Sequence, residues 1–255
     1  KRNICVIATG KGMGDFYSNI AYFKQIYKEE KLKIVFLTRK LTSADIVLNS
    51  QNFCEKVYYI KEYRRGLKGV IENFKSFVNI VKLLKNINPK KIFILHDSSR
   101  YTLSSIFSNV SRDYIYAPGY RLQNFSIKRE NKIFKSFFTG PLVSKLANKL
   151  LVEKIYKKKI SEDNSISYSI HQKKYVCIMI AQSGTSRQWG KEKYIKIIEY
   201  LYSKGFKNFL ILSGPLQKNM EKEIVNFFDK FNIEFIKTSH LNMQDCLNFL
   251  SQSKF

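Results

Sequence analysis

The sequence predicts an α/β fold in two halves, each built on a parallel sheet. Short β-branched apolar runs alternate with amphipathic segments of ten or more residues, the pattern that calls for right-handed crossovers. The alternation is broken once, by the polar, serine-rich run Lys157–Lys174 (KKKISEDNSISYSIHQKK), and then restarts. Of the 255 residues, 44% are hydrophobic and 25% charged, a globular balance that excludes wholesale disorder. The expected division is a first domain at 1–157, a linker at 158–173 and a second domain at 174–255.

Each element follows from local pattern. Asn3–Thr9 (NICVIAT) is an apolar strand ended by the glycine-rich GKGMGD, and from Asp15 the apolar residues Phe16, Ile20, Phe23 and Ile26 recur at helical spacing up to Lys28. Strands are expected at Lys33–Leu37, Lys56–Ile60, Lys91–His96 and Tyr114–Ala117. Helices are expected at Thr42–Asn49, at Leu67–Leu84 before Asn88-Pro89, at Leu103–Val110, and at Phe134–Tyr156 with a break at Gly140-Pro141. In the second half, Tyr175–Ala181, Phe209–Ser213 and Ile233–Lys237 read as strands. Lys191–Lys204, a segment opened by Gly214-Pro215 and running to Lys230, and Met243–Ser251 read as helices. A further strand begins near Ser253, and the first residue is not methionine, so the chain reads as a piece of a longer protein.

Charge dominates the composition: 45 Lys+Arg against 20 Asp+Glu, a formal +25. Such an excess attracts polyanions: nucleic acid, an anionic lipid surface or a phosphorylated substrate. The heavy use of Lys, Ile, Asn, Phe and Tyr equally fits an AT-rich coding bias. No run approaches the roughly 18 apolar residues of a membrane span, and the start is no signal peptide. Cys5, Cys54, Cys177 and Cys246 lie far apart, without CxxC or a histidine at ligand spacing. They read as buried thiols of a cytoplasmic chain, and no metal is expected. No RNP-like, KH-like or helix-turn-helix signature supports nucleic-acid binding, so nucleic acid is not an expected partner. Lysine-rich Lys145–Lys159 suits peripheral contact with an anionic leaflet.

The loops that follow strands carry the chemistry. Gly10, Gly12 and Gly14 form GxGxG, which misses the dinucleotide spacing and lacks the Lys-Ser/Thr pair of a P-loop. Asp15 reads either as a helix N-cap, contributing about 1 kcal/mol, or as a general base at the carboxyl edge where open α/β sheets bind ligands. Ser183, Gly184, Thr185, Ser186 and Arg187, at a helix start, suit a diphosphate, and Gly214 lets a ligand approach the backbone. His96, with Asp97, follows the fourth strand, while His171 falls in the linker. Arg64, Arg65, Arg100 and Arg121 follow first-half strands, either as solvated surface or as a set receiving an anionic acceptor.

These residues resemble a known family. The opening strand with Gly14-Asp15, the run AQSGTSRQWGKEKY (Ala181–Tyr194), ILSGP (Ile211–Pro215) and HLNMQDCLNFLSQSKF (His240–Phe255) occur in the order found in the bacterial heptosyltransferases, glycosyltransferase family nine. The resemblance spans nearly the whole chain and is tightest at Gly14-Asp15 and Gly184–Trp189. It implies two Rossmann-like domains facing across a cleft, the glycosyltransferase-B arrangement, with the second domain incomplete. It implies inverting, metal-independent transfer of a sugar, typically heptose from ADP-heptose, to a lipopolysaccharide-type glycolipid. The nucleotide-sugar is then a substrate, and no cofactor is needed. By the resemblance, Asp15 deprotonates the acceptor hydroxyl. Ser183, Gly184, Thr185, Ser186, Arg187 and Gly214 hold the donor, and Leu241 packs on its base. Gly12, Gly14, Arg64, Arg65, Arg100 and Arg121 receive the acidic acceptor. Three departures stand out. The family's Asp-[Thr/Ser]-Gly-x-x-His segment would fall beyond Phe255, so these residues alone are expected to be poorly active. Gln217-Lys218 replaces a ribose-binding glutamate. Gly190 stands where proline is usual, which is expected to loosen the donor loop.

Overall fold

The structure, a computed structural model, describes residues 3–9, 13–61, 67–96, 98–120, 122–133, 141–161, 174–180, 189–214, 217–241 and 243–253. The chain divides into two compact units, Lys1–Ser167 and Tyr168–Phe255, inside the polar run expected to be the linker.

The first unit holds β1 (Ile4–Ile7), α1 (Met13–Tyr17), α2 (Ile20–Glu30), β2 (Ile34–Thr38), α3 (Ala44–Leu48), β3 (Cys54–Tyr59) and α4 (Leu67–Ile87). They are followed by β4 (Lys91–Ile94), α5 (Ser99–Ile106), β5 (Ile115–Tyr116), α6 (Leu122–Ser126) and α7 (Pro141–Tyr156). Its sheet is parallel, in the order β3-β2-β1-β4-β5. All residues of β1 and β2 are buried, which explains their unbroken apolar runs. Alternate residues face opposite layers. Ile4, Val6, Ile34, Phe36 and Phe93 pack with Phe16, Phe23 and Ile26 of α1 and α2. Cys5, Ile7, Val35, Leu37, Ile92 and Ile94 pack with Ile80 and Leu84 of α4 and Tyr101 of α5. Phe23 meets Phe36 edge-on at 4.9 Å between centroids, and each fully buried ring of this kind contributes roughly 1.5–3 kcal/mol.

The second unit holds β6 (Val176–Met179), α8 (Lys191–Ser203), β7 (Asn208–Leu212), α9 (Lys218–Lys230), β8 (Glu234–Lys237) and α10 (Met243–Ser251). Its strands are parallel in the order β6-β7-β8. A parallel bridge pairs Tyr175, just before β6, with Ser253, near which the sequence suggested that a further strand begins. Phe209, Ile211, Ile198, Ile224 and Phe228 form its core.

Three expected elements are corrected. The single helix from Asp15 to Lys28 is two helices: Asn19 Nδ2 and Ser18 Oγ both donate to the Asp15 carbonyl, at 2.6 and 3.0 Å, and α2 restarts at Ile20. The helix expected at Leu103–Val110 runs Ser99–Ile106, because its buried face is largely hydroxylic. Thr102 and Ser105 return their hydroxyls to the carbonyls of Ser98 and Tyr101. The helix expected to open at Gly214-Pro215 starts only at Lys218, after Gln217. All four cysteines are free, but only Cys5 and Cys54 are buried; Cys177 and Cys246 are half-buried. Burial pushes the Cys5 thiol well above its ordinary pKa, which makes it unreactive. Among the described residues, no helix is long and apolar enough to cross a membrane.

Candidate functional site

In the first unit the strand order reverses between β1 and β4, the switch point where a crevice opens at the carboxyl edge. Asp15 stands at this edge as the third residue of α1, inside the first turn, with its side chain exposed. Its backbone carbonyl is the fixed part, held by Ser18 and Asn19 as above. Asn19, itself buried, accepts from Asn148 Nδ2 of α7 at 2.9 Å. A chain of amides from α7 through Asn19 therefore sets where the Asp15 carboxylate is presented. Gly14 has open space where a Cβ would stand, so packing does not require a glycine there.

Arg100 begins α5 and is half-buried. Its guanidinium donates to Asn73 Oδ1 and Ser76 Oγ of α4, both at 3.3 Å, and to the Tyr101 hydroxyl at 2.9 Å, and it stacks on the Tyr101 ring. The arginine thus braces α4 against α5. The neighbouring edge is organised by Gln123, which sequence reading missed. Gln123 Nε2 donates to the His96 carbonyl at 2.8 Å, while its Oε1 accepts from the N–H groups of Gly119 and Tyr120. Gly119 has φ 102°, which favours glycine. The His96 ring lies 6.0 Å from that of Tyr101.

In the second unit, the starts of α8 and α9 line a cavity of about 400 Å³ with Gly190, Lys191, Glu192, Gln217, Asn219, Met220 and Glu223. Two helix N-termini at one cavity present N–H groups and positive dipole ends to an anion. Lys191 bridges to Glu223 at 2.5 Å, and that hydrogen bond and charge hold its pKa up. Gly214 is half-buried at the end of β7, where its carbonyl accepts from the Gln217 N–H at 3.0 Å. Leu241, half-buried, follows β8, and its N–H donates to the Thr238 carbonyl. Thr238 also donates its N–H to Ile211 O and accepts from Ser213 N. Buried Glu221 of α9 completes this tie. It accepts from the hydroxyls of Ser213, after β7, and Ser239, after β8, the latter at 2.7 Å. The loops bearing Gly214 and Leu241 are therefore fastened together by a carboxylate that the sequence did not reveal. Gly12, Arg64, Arg65, Arg121 and Ser183, Gly184, Thr185, Ser186 and Arg187 lie outside the described residues. Among the described residues, no cluster of His, Cys, Asp or Glu could hold a metal ion.

Gly190 caps α8 with φ −65° and ψ 154°, a conformation proline adopts without strain. A Cβ there would meet only the mobile end of the Glu192 side chain. Gly190→Pro should therefore raise the thermal midpoint by about 1–4 °C, since it restricts the unfolded chain alone. A fall in midpoint, read by differential scanning fluorimetry, would show that the Gly190 N–H or a bent approach from Trp189 matters.

Doubly wound parallel sheets with glycine-bearing loops at their carboxyl edges place both units in the Rossmann-like class. The particular arrangement is one also seen in solved glycosyltransferase structures. The chain is similar to a family 9 glycosyl transferase from Veillonella parvula DSM 2008, with 11% identity over 93% of this chain and 69% of that one, TM-score 0.64. It is similar to E. coli ADP-heptose lps heptosyltransferase II, with 8% identity over 99% and 77%, TM-score 0.71. It is also similar to the E. coli heptosyltransferase WaaC with ADP-2-deoxy-2-fluoro heptose, with 12% identity over 99% and 81%, TM-score 0.72. At these identities the likeness establishes the fold. No protein-family model and no curated protein sequence matches the chain.

Proposed function

We propose that this chain belongs to an inverting glycosyltransferase that moves a sugar from a nucleotide donor, heptose from ADP-heptose, onto an envelope glycolipid. One observation carries the reading. On a family-nine fold, an exposed carboxylate, Asp15, occupies the carboxyl edge of one unit, while paired helix N-termini frame a cavity at that of the other. Asp15 takes the proton from the acceptor hydroxyl, and the freed oxygen attacks the anomeric carbon from the face opposite the nucleotide. The bond from that carbon to the diphosphate oxygen breaks, and the nucleotide leaves with the bonding electrons. Arg187 and the starts of α8 and α9 receive the charge that develops there, so metal-independent transfer is the reading these groups support. Gly214 and Leu241 flank the nucleoside, and Arg64, Arg65, Arg100 and Arg121, with Gly12 and Gly14, meet the acidic acceptor.

Donor identity is testable by thermal shift. A ligand that binds only the native state stabilises by RT ln(1 + [L]/Kd), so ADP at 100 Kd adds about 2.7 kcal/mol. The expected order is ADP above UDP, GDP and CMP at equal concentration. Gln217, buried at the cavity wall where a ribose-binding carboxylate is otherwise expected, favours one alternative, a transferase for another nucleotide. A larger shift with a nucleotide other than ADP selects that alternative, and no shift with any of the four removes the transferase reading.

A further inference from the structure

Helix α4 has two apolar faces, and only one is used. Its inward face packs Ile80 and Leu84 on the sheet. At about 100° per residue, Val70, Ile71, Phe74, Phe77 and Val81 form a second stripe on the outward side. Val70, Ile71 and Phe74 are 65%, 63% and 67% exposed, and Phe107, past the end of α5, is 59% exposed. Phe74, Phe77 and Phe107 form a chain of ring contacts at 6.3 and 6.0 Å. Between α4 and α5, Phe74 and Phe77 border an open cavity of about 400 Å³, whose remaining wall is Leu103, Asn73 and the braced Arg100.

The charge on the same helix says what covers this stripe. Lys75 and Lys82, both exposed and seven residues apart, run along one flank, and Lys85 extends the stripe itself. The helix has one acid, Glu72, which the same spacing turns to the far side of Lys75. An apolar stripe edged by lysines over about 24 Å of helix, from Val70 to Lys85, is the pattern that lies in a bilayer interface, apolar face down and cations at headgroup level. We infer that α4 and the end of α5 dock this protein on an anionic phospholipid bilayer. This differs from contact through Lys145–Lys159, where Lys154 donates to the Lys132 carbonyl and Lys158 pairs with Glu29. The stripe begins just after the carboxyl end of β3, the sheet edge that carries Asp15. A lipid-borne acceptor would arrive at that edge; this last link alone rests on the proposed transferase activity.

The test is co-sedimentation of the protein with vesicles of phosphatidylcholine alone or with one-quarter phosphatidylglycerol. The protein should pellet with the mixed vesicles only. Phe74→Ser/Phe107→Ser should lower the partition coefficient tenfold or more, on the order of two part-buried rings. Lys75→Gln/Lys82→Gln should lower it about fivefold per lysine. Both variants change exposed side chains, so an unchanged thermal midpoint and far-UV dichroism serve as the folding control. The inference is overturned if the folded serine variant pellets like the wild type, or if the wild type pellets with neither vesicle. It is likewise overturned if sedimentation velocity shows a self-associated species that the serine variant dissolves while vesicle binding is absent, since a second copy would then cover the stripe.

Discussion

Asp15→Asn in the full-length protein should lower turnover by about 10²–10⁴-fold, the usual worth of a positioned general base, with nucleotide affinity unchanged. Ser18 and Asn19 hold the Asp15 backbone carbonyl, and asparagine keeps that carbonyl and nearly the same shape. The exposed side chain lies within the first turn of α1, where a negative charge contributes only about 0.3–1 kcal/mol through the helix dipole. If that were its whole role, the variant would show a slightly lower thermal midpoint and normal turnover. The opposite pattern, a normal midpoint with sugar transfer nearly abolished, identifies the base. Steady-state transfer and a nucleotide thermal shift on the same preparation separate the two, and retained turnover refutes the assignment while leaving the fold assignment intact.

The strands were legible because they are buried on both faces. ICVI in β1 and IVFLT in β2 have no polar residue to hide the run except Thr38, whose hydroxyl donates to the Ala8 carbonyl. Helices were legible where apolar residues made the buried face, as in α4, and misplaced where hydroxyl groups did, as in α5. Asp15 and Gly214 were singled out because each follows a strand, and position marks the ligand edge of a parallel sheet, whereas Leu241 was singled out through the family resemblance alone. The groups that hold that edge in shape were not found. Asn148 meets Asn19 across 129 residues, Gln123 meets His96 across 27, and Glu221 meets Ser239 across 18. No local period reports such pairs, and each is a polar residue that reads as surface until the fold buries it. The spacing of Ser213, eight residues before Glu221, carries no recognisable motif either.

Glu30→Ala should cost about 2–4 kcal/mol of stability. The Glu30 side chain is 5% exposed at the end of α2, where one oxygen accepts from Lys91 Nζ of β4 at 2.5 Å and from the Tyr156 hydroxyl of α7 at 2.9 Å. Lys90 stands 3.8 Å from the other oxygen. Removing one partner of a buried pair typically costs 3–5 kcal/mol because the remaining charge is left uncompensated. The Lys91 side chain keeps 18% exposure, so part of that penalty is relieved by water. The same reasoning gives a sharper expectation for the pair: Glu30→Met with Lys91→Met removes both charges and should be nearly neutral. Urea unfolding of the two single variants and the double variant would yield a coupling energy of a few kcal/mol. Strict additivity would mean that the carboxylate contributes through its tyrosine bond alone. The consequence reaches the opposite edge of the sheet. Glu30 fastens α7 to α2, and α7 supplies the Asn148 amide that grips Asn19 behind Asp15. Loosening that helix should therefore blunt turnover as well as stability, with the loss of turnover greatest near the thermal midpoint, where α7 begins to separate.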